Sequence, residues 1–253
     1  MIYVTGDTHG NFSRLSNKNW KQGKELNKED YVIVMGDFGL IFNPVMTKDE
    51  LYWIKWLDGR PWTTLFIDGN HDNHPKLNEL PRDLKFGAEV GIVSDSIFHL
   101  RRGEIYTIEG KTFLAFGGAA STDQGSRRMG ISWWPDEVPN YTEMDHCTKS
   151  IEKHGYKVDV ILSHTCPDSI APIIAGYRGI HSYEDPTQMM LHHIITTCEF
   201  DHYFCGHFHI NMDYDKYHFL YERIANLDEV IERYNNERAN KHKLPDYKYQ
   251  GTD

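Results

Sequence analysis

The sequence has few cysteines and no long apolar run, and each absence excludes a class of protein. Its four cysteines, Cys147, Cys166, Cys198 and Cys205, lack the paired spacing of a structural zinc site and are predicted to be small buried thiols. No stretch reaches the roughly 20 apolar residues of a membrane span. The first apolar run begins at Ile2, which leaves no room for a signal peptide. We therefore expect a cytoplasmic protein without a membrane partner.

Basic residues are also in short supply. The 253 residues include 27 Lys and Arg against 37 Asp and Glu, which gives a net charge of -10 with the 15 histidines neutral. Because most affinity for nucleic acid comes from cations that neutralise phosphates, this balance disfavours extended nucleic acid as a partner. It remains compatible with a nucleotide-sized substrate. The sequence predicts no particular oligomeric state.

The chain is long enough to bury a large core as one α/β domain. We assign residues 1–226 to this domain and residues 227–253 to a C-terminal helix and tail packed on it. The intervals between the first apolar runs are typical of two strand, helix and strand units, with a helix at 49–57 in the second. Turn signals predict β-hairpins within 104–116 and 212–221, which would supply a second sheet.

Five short apolar runs are each followed by residues that can bind a metal. Runs of this length, bounded by glycine or polar residues, are typical of buried strands. Since ligands of open α/β sheets bind at the carboxyl ends of the strands, we predict that the polar side chains meet in one crevice. The runs are 2–4 before Asp7 and His9, 31–35 before Asp37, 65–67 before Asn70 and His71, 160–162 before His164, and 202–204 before His207 and His209.

Each short motif carries little information alone. The Asp-x-His pattern of Asp7 and His9 recurs at Asp72 and His74, where we interpret it as the start of a solvated helix with Pro75 in the first turn. The order of all the motifs, each directly after an apolar run, is the informative feature.

This order resembles that of the calcineurin-like metallophosphoesterases, from Asp7 to His209. The resemblance implies an α/β fold with a two-sheet β-sandwich core flanked by helices, in four αββα layers, and two divalent ions at the strand ends. It implies that His71 lies over the site as proton donor or transition-state stabiliser. The implied metal ligands are Asp7, His9 and His209 for the first ion, Asn70, His164 and His207 for the second, and Asp37 as the bridge.

The chain departs from the protein-phosphatase branch of that family at two places. Phe38 to Phe42 follow Asp37 where that branch has a further Asp and an Arg, and Asp72 stands where it has Glu. These departures argue against a phosphoprotein substrate.

The residue types favour phosphate-ester chemistry. Only Asp7 and Asp37 among the proposed ligands are acidic, so two divalent ions leave the site positive even with a bound hydroxide. Mixed histidine and carboxylate ligation suits Mn, Fe, Zn, Ni or Co better than Ca, and we favour Mn. A water bridging two ions about 3.5–4 Å apart is activated to attack phosphorus, and the His71 imidazole can protonate the leaving group.

Three functions follow from this interpretation. The first is hydrolysis of a small, nucleotide-like phosphomonoester or phosphodiester. The second is nucleic-acid end processing or nuclease activity, which cleavage of single-stranded DNA or RNA would support. The third is a non-catalytic protein-binding scaffold on the same fold, which undetectable metal would support and the full apparent ligand set opposes.

Residues 118–141 form a long segment with few secondary-structure signals, and such loops are often functional. As a possible lid, it offers Arg127 and Arg128 to grip a phosphate oxygen and Trp133 and Trp134 to stack on a base or aryl group. Alternatively, the tryptophans anchor the loop to the core and the arginines are solvated.

Overall fold

The computed structural model describes residues 1–178 and 184–241. The α-helices are α1 (Lys48–Asp58), α2 (His74–Glu79), α3 (Tyr141–Lys153), α4 (Ala171–Arg178), α5 (Pro186–Thr197) and α6 (Leu227–Lys241). In chain order, the strands are β1 (Ile2–Thr5), β2 (Tyr31–Met35), β3 (Thr63–Ile67), β4 (Arg82–Lys85), β5 (Ala88–Ser94), β6 (Ile97–Leu100), β7 (Ile105–Ile108), β8 (Lys111–Phe116), β9 (Lys157–Ser163), β10 (Glu199–Cys205), β11 (Met212–Tyr214), β12 (Tyr217–Phe219) and β13 (Ala225–Asn226).

The strands form two sheets. The first has the order β13-β1-β2-β3-β6-β5-β4 and the second the order β11-β12-β10-β9-β8-β7. Strands β1, β2, β3 and β6 are parallel in the first sheet, as are β8, β9, β10 and β12 in the second. The carboxyl ends of the central strands therefore lie along one edge of each sheet.

Alternation along the strands creates three apolar layers. On β2, Ile33 faces the core between the sheets, whereas its neighbours Val32 and Val34 face the outer layer with Leu57 of α1. The strands of the second sheet also alternate between the core and an outer layer, and Leu114 of β8 packs outward among residues of α3 and α5. This is the period-2 pattern of strands buried on both faces. The predicted two-sheet core flanked by helices is confirmed.

Both predicted hairpins are confirmed and lie in the second sheet. In the first, Ile108 pairs with Lys111 around a two-residue turn, and both turn residues, Glu109 and Gly110, have positive φ. Positive φ at both central residues matches the right-handed twist of the flanking strands.

The prediction of two strand, helix and strand units was wrong for the first crossover. Between β1 and β2 the chain forms only short 3-10 turns, at Ser13–Leu15 and Gln22–Lys24, and α1 occupies the second crossover. The buried hydrophobic residues of the first crossover are Phe12, Leu15, Trp20 and Leu26. Their spacing of three, five and six residues does not place them on one face of a helix.

The prediction of a solvated helix at residues 72–74 was also wrong in part. Helix α2 does begin there, with Asn73 as N-cap and Pro75 in the first turn. However, Asp72, Asn73 and His74 are all buried. The Asp72 carboxylate accepts hydrogen bonds from Gly69 N and Gly39 N, both at 2.8 Å, so the segment joins two loops instead of facing water.

The remaining predictions concern the chain's end, its cysteines and membranes. Leu227 and Val230 of α6 are buried in the core between the sheets. The division of the chain into a domain up to residue 226 and a C-terminal segment from 227 stays a prediction. The part of the predicted tail from residue 242 onward lies outside the described residues. All four cysteines are buried and unpaired, as predicted. Within 1–178 and 184–241, no helix combines the length and apolar character needed to cross a bilayer.

Candidate metal centre

The carboxyl ends of five strands from the two sheets meet at one place. Gly206 N, after β10, donates a hydrogen bond of 3.0 Å to the carbonyl of His164, which follows β9. His164 Nδ1 in turn lies 2.8 Å from the carbonyl oxygen of Met35, at the end of β2 in the other sheet. The side chains that follow these strands therefore converge, as the sequence predicted.

The loops that carry these side chains are tightly folded. His9, Asp37, His207 and His209 all have φ between 46° and 65°, a region that non-glycine residues enter rarely. Gly36 precedes Asp37 with φ of 82°, and a Cβ there would overlap the His164 ring. Backbone strain of this kind clusters at functional sites, where the surrounding fold maintains it.

Asp7, His9 and His209 form one group of possible ligands. The Nε2 atom of His209 lies 3.0 Å from Asp7 Oδ2 and 3.2 Å from His9 Nε2. The backbone N of His207 donates to Asp7 Oδ1 at 3.0 Å, which fixes the carboxylate. Two imidazole nitrogens and one carboxylate oxygen thus point at a common position.

Asn70, His164 and His207 form a second group. The Oδ1 atom of Asn70 lies 3.1 Å from both His164 Nε2 and His207 Nδ1. Asp37 lies between the groups, since its Oδ1 is 3.3 Å from His164 Nε2 and its Oδ2 is 3.9 Å from His9 Nδ1. Its two carboxylate oxygens therefore each lie near a histidine of a different group.

Burial and close charges determine the protonation of these side chains. Burial opposes ionisation of Asp37, but the adjacent His164 holds the pKa of that carboxyl well below its usual range. Burial lowers the pKa of His9 and lowers that of His207 to about 3. Both rings are therefore neutral at pH 7, which is the form of imidazole that binds metals. Although burial opposes it, the adjacent Asp37 raises the pKa of His164 to about 10, so this ring must lose a proton to bind a metal.

His71 lies beside these groups with its backbone tied to Asp37. Its N donates a hydrogen bond of 2.7 Å to Asp37 Oδ1. Its Nε2 is 2.5 Å from Nη2 of Arg127, which also donates to Asp123 Oδ2 at 2.8 Å. Because guanidinium only donates, Nε2 is the acceptor and the proton of the neutral ring is on Nδ1.

The structure separates the four loop residues that the sequence grouped together. The Arg127 side chain is 9% exposed and contacts His71, whereas Arg128 is exposed. Trp134 is buried and packs edge-on against Phe42, with ring centroids 5.4 Å apart. Trp133 is half-buried. Of the four, Arg127 makes a direct contact with the convergent side chains, and Trp134 has the placement of an anchor.

Sequence reasoning missed residues that support the site. Buried Asp72 links the Asp37 and Asn70 loops through backbone hydrogen bonds; burial raises its pKa to about 7, with Asp37 adding to the effect. Ser121 accepts a hydrogen bond of 3.1 Å from Asn70 Nδ2. Ser121 follows β8. The sequence search for polar residues after apolar runs would have found it if the search had included this strand.

The donor set fits divalent metal ions. Among the described residues, three groups have donor atoms within 4.8 Å of one another. Each combines imidazole nitrogen with carboxylate oxygen, a mixture suited to borderline first-row ions. They are Asp7, His9 and His209; His9, Asp37 and His71; and Asp7, Asp37 and His164.

A comparison with protein families supports the interpretation of this site. A family model described as calcineurin-like phosphoesterase matches residues 1–211. These residues include the carboxyl ends of all five strands and both His207 and His209. The resemblance carried by the sequence motifs is thereby confirmed. A comparison with curated proteins found no match.

Proposed function

Because the chain belongs to the calcineurin-like phosphoesterase family, we propose that it hydrolyses a small, nucleotide-like phosphate ester with two divalent ions held at the strand ends. Membership implies metal-dependent hydrolysis of a phosphoester, and the family typically binds two divalent metals. The observation that carries the proposal is the convergence of imidazole, amide and carboxylate donors around the buried Asp37.

Under this proposal each donor has one role. Asp37 would hold both ions, and its contacts with His9 on one side and His164 on the other support this assignment. The ligands of the first ion would be Asp7, His9 and His209, and those of the second would be Asn70, His164 and His207. Two acidic ligands against two divalent ions leave a positive centre, which attracts a phosphate ester.

When bound, the two ions supply Lewis-acid activation of a water molecule and of the phosphoryl group. The chain's own residues bind the substrate and move the proton. Arg127 exchanges its contact with His71 for one with a phosphate oxygen, since a guanidinium pairs with phosphate in bidentate fashion. His71, released from Arg127, faces the leaving oxygen and stabilises it with an N–H group.

A groove beside His9 supports a small substrate. It has a volume of about 640 Å³ and is lined by residues that include Asn11, Ser13, Arg14 and Tyr221. This size lies within the range of pockets that hold small molecules and cofactors. Among the described residues of the lining, Arg14 is the only Lys or Arg, whereas a polynucleotide track needs several cations. For the ions themselves we favour manganese, because the proposed ligands mix imidazole nitrogen with carboxylate and amide oxygen.

The test is hydrolysis of p-nitrophenyl phosphate and bis-p-nitrophenyl phosphate by manganese-loaded protein, with Asp37→Asn as control. We expect turnover of at least one ester by the wild type and its loss in Asp37→Asn, with unchanged circular dichroism. Preference for the diester would point to nucleotide diesters and preference for the monoester to nucleotidase substrates. Full activity of Asp37→Asn would contradict the mechanism.

A further inference from the structure

A buried chain of hydrogen bonds leads from Asn70 into the 118–141 loop. Asn70 Nδ2 donates to Ser121 Oγ at 3.1 Å, and Ser121 Oγ donates to Glu137 Oε2 at 2.6 Å. Ser121 N donates to the other carboxylate oxygen of Glu137, also at 2.6 Å. The three residues are 5%, 8% and 2% exposed, respectively. Glu137 therefore holds Ser121 by both its hydroxyl and its backbone.

When Glu137 is ionised, the hydrogen bonds from Asn70 through Ser121 to Glu137 have a single possible arrangement of donors and acceptors. A carboxylate only accepts, so the single hydroxyl proton of Ser121 points to Glu137. The lone pairs left on Ser121 Oγ require a donor, and Asn70 must present its NH₂ group to them. The amide oxygen of Asn70 then faces the opposite way, toward His164 and His207.

Orientation matters for Asn70 because the two ends of a carboxamide are nearly equal in shape but opposite in chemistry. The oxygen has lone pairs for a cation, whereas the NH₂ group offers only hydrogens. Among the residues proposed to hold ions, Asn70 alone has this ambiguity. A rotation of the amide by about 180° would remove one ligand from the second ion.

Glu137 is itself fixed to the loop that carries Asn70. The Glu137 carbonyl accepts hydrogen bonds of 3.2 Å from Ala119 N and from Arg102 Nη2. Buried Arg102 also donates from Nε to Asp68 Oδ2 at 2.7 Å, and Asp68 lies two residues before Asn70. The base of the 118–141 loop and the end of β3 thus share one buried anchor.

We propose that Glu137 and Ser121 are positioning residues, which hold the Asn70 oxygen toward the second divalent ion. The inference rests on the proposed function, since it takes Asn70 as a ligand of that ion. It gives the ends of the 118–141 loop a role separate from that of Arg127 in its middle.

The experiment is calorimetric titration of the full-length protein with Mn²⁺, which reports the number and affinity of sites without substrate. The variants are Ser121→Ala, Ser121→Thr, which keeps the hydroxyl, and Glu137→Gln, whose amide can donate to Ser121 and reverse the chain. Ser126→Ala is the matched control, because Ser126 is an exposed serine of the same loop.

We expect two sites in the wild type, in Ser126→Ala and in Ser121→Thr. In Ser121→Ala and Glu137→Gln, one site weakens about 10- to 100-fold, the range for loss of a residue that orients a ligand, and the other is unchanged. Wild-type affinity at both sites in Ser121→Ala, or equal weakening of both, would overturn the inference alone. Fewer than two sites in the wild type would overturn the proposed function and this inference with it.

Discussion

Replacing Arg127 and its neighbour Arg128 separately by alanine tests the substrate side of the proposal. The two cations are adjacent in sequence, but Arg127 is 9% exposed and contacts His71 and Asp123, whereas Arg128 is exposed. Of the two, Arg127 is the one that contacts a side chain of the proposed site. Arg128→Ala therefore serves as a control that removes the same charge from the same loop.

The expected size of the effect follows from the contacts. A hydrogen bond to a charged group contributes about 1.5–3 kcal/mol, and each 1.4 kcal/mol is a factor of about ten in affinity. Arg127→Ala should therefore raise the KM for the better nitrophenyl ester about 10- to 100-fold, with a smaller change in kcat. Arg128→Ala should leave both constants within about twofold.

Steady-state kinetics on the manganese-loaded variants measures both constants. An equal response of the two variants would refute the distinction between the arginines. A fall in kcat for Arg127→Ala at constant KM would contradict phosphate binding and indicate that Arg127 serves to position His71.

Three further predictions concern His71, His202 and Gly206. His71→Ala should keep the wild-type metal content but lose turnover. The loss of kcat should be largest for esters with poor leaving groups, which a plot of rate against leaving-group pKa measures. Burial and the adjacent His218 lower the pKa of His202 to about 4, so the folded state binds fewer protons than the unfolded state between about pH 6.5 and 4. Each pKa unit is worth about 1.4 kcal/mol. Acidification from about pH 6.5 to 4 should therefore lower the free energy of unfolding of the wild type by about 3 kcal/mol more than that of His202→Gln, as measured by urea titration. An equal decrease in the two proteins would refute this. Gly206→Ala places a Cβ against Asp7 and the Met35 carbonyl, and this overpacking should lower the free energy of unfolding by about 1–3 kcal/mol, as measured by thermal unfolding. Gly125→Ala is the control and should have no effect, because a Cβ there has nothing within 4 Å.

The convergence of donor residues could be predicted from sequence because strand geometry is regular. Asp7, Asp37 and Asn70 each follow an apolar run, and parallel pairing brings the ends of such runs to one edge. The hairpin around Glu109 and Gly110 was predictable for a similar local reason, since two alternating apolar runs flank a short turn that contains Gly110, a residue that adopts positive φ without strain.

The supporting residues could not be predicted because they depend on contacts between distant loops. Adjacent Arg127 and Arg128 have equal local sequence signals, and only the path of the loop places one of them at His71. Asp72 matched a solvated helix start, yet it is buried and accepts hydrogen bonds from the two loops that carry Asp37 and Asn70. Glu137 is 67 residues from Asn70 in sequence, and no spacing rule joins them.

The most direct test of two-metal chemistry is an anomalous difference map from crystals grown with Mn²⁺. The account predicts two peaks with the Asp37 carboxylate between them, one beside His9 and His209 and the other beside His164 and His207. A single peak there, or no peak at these side chains, would contradict it.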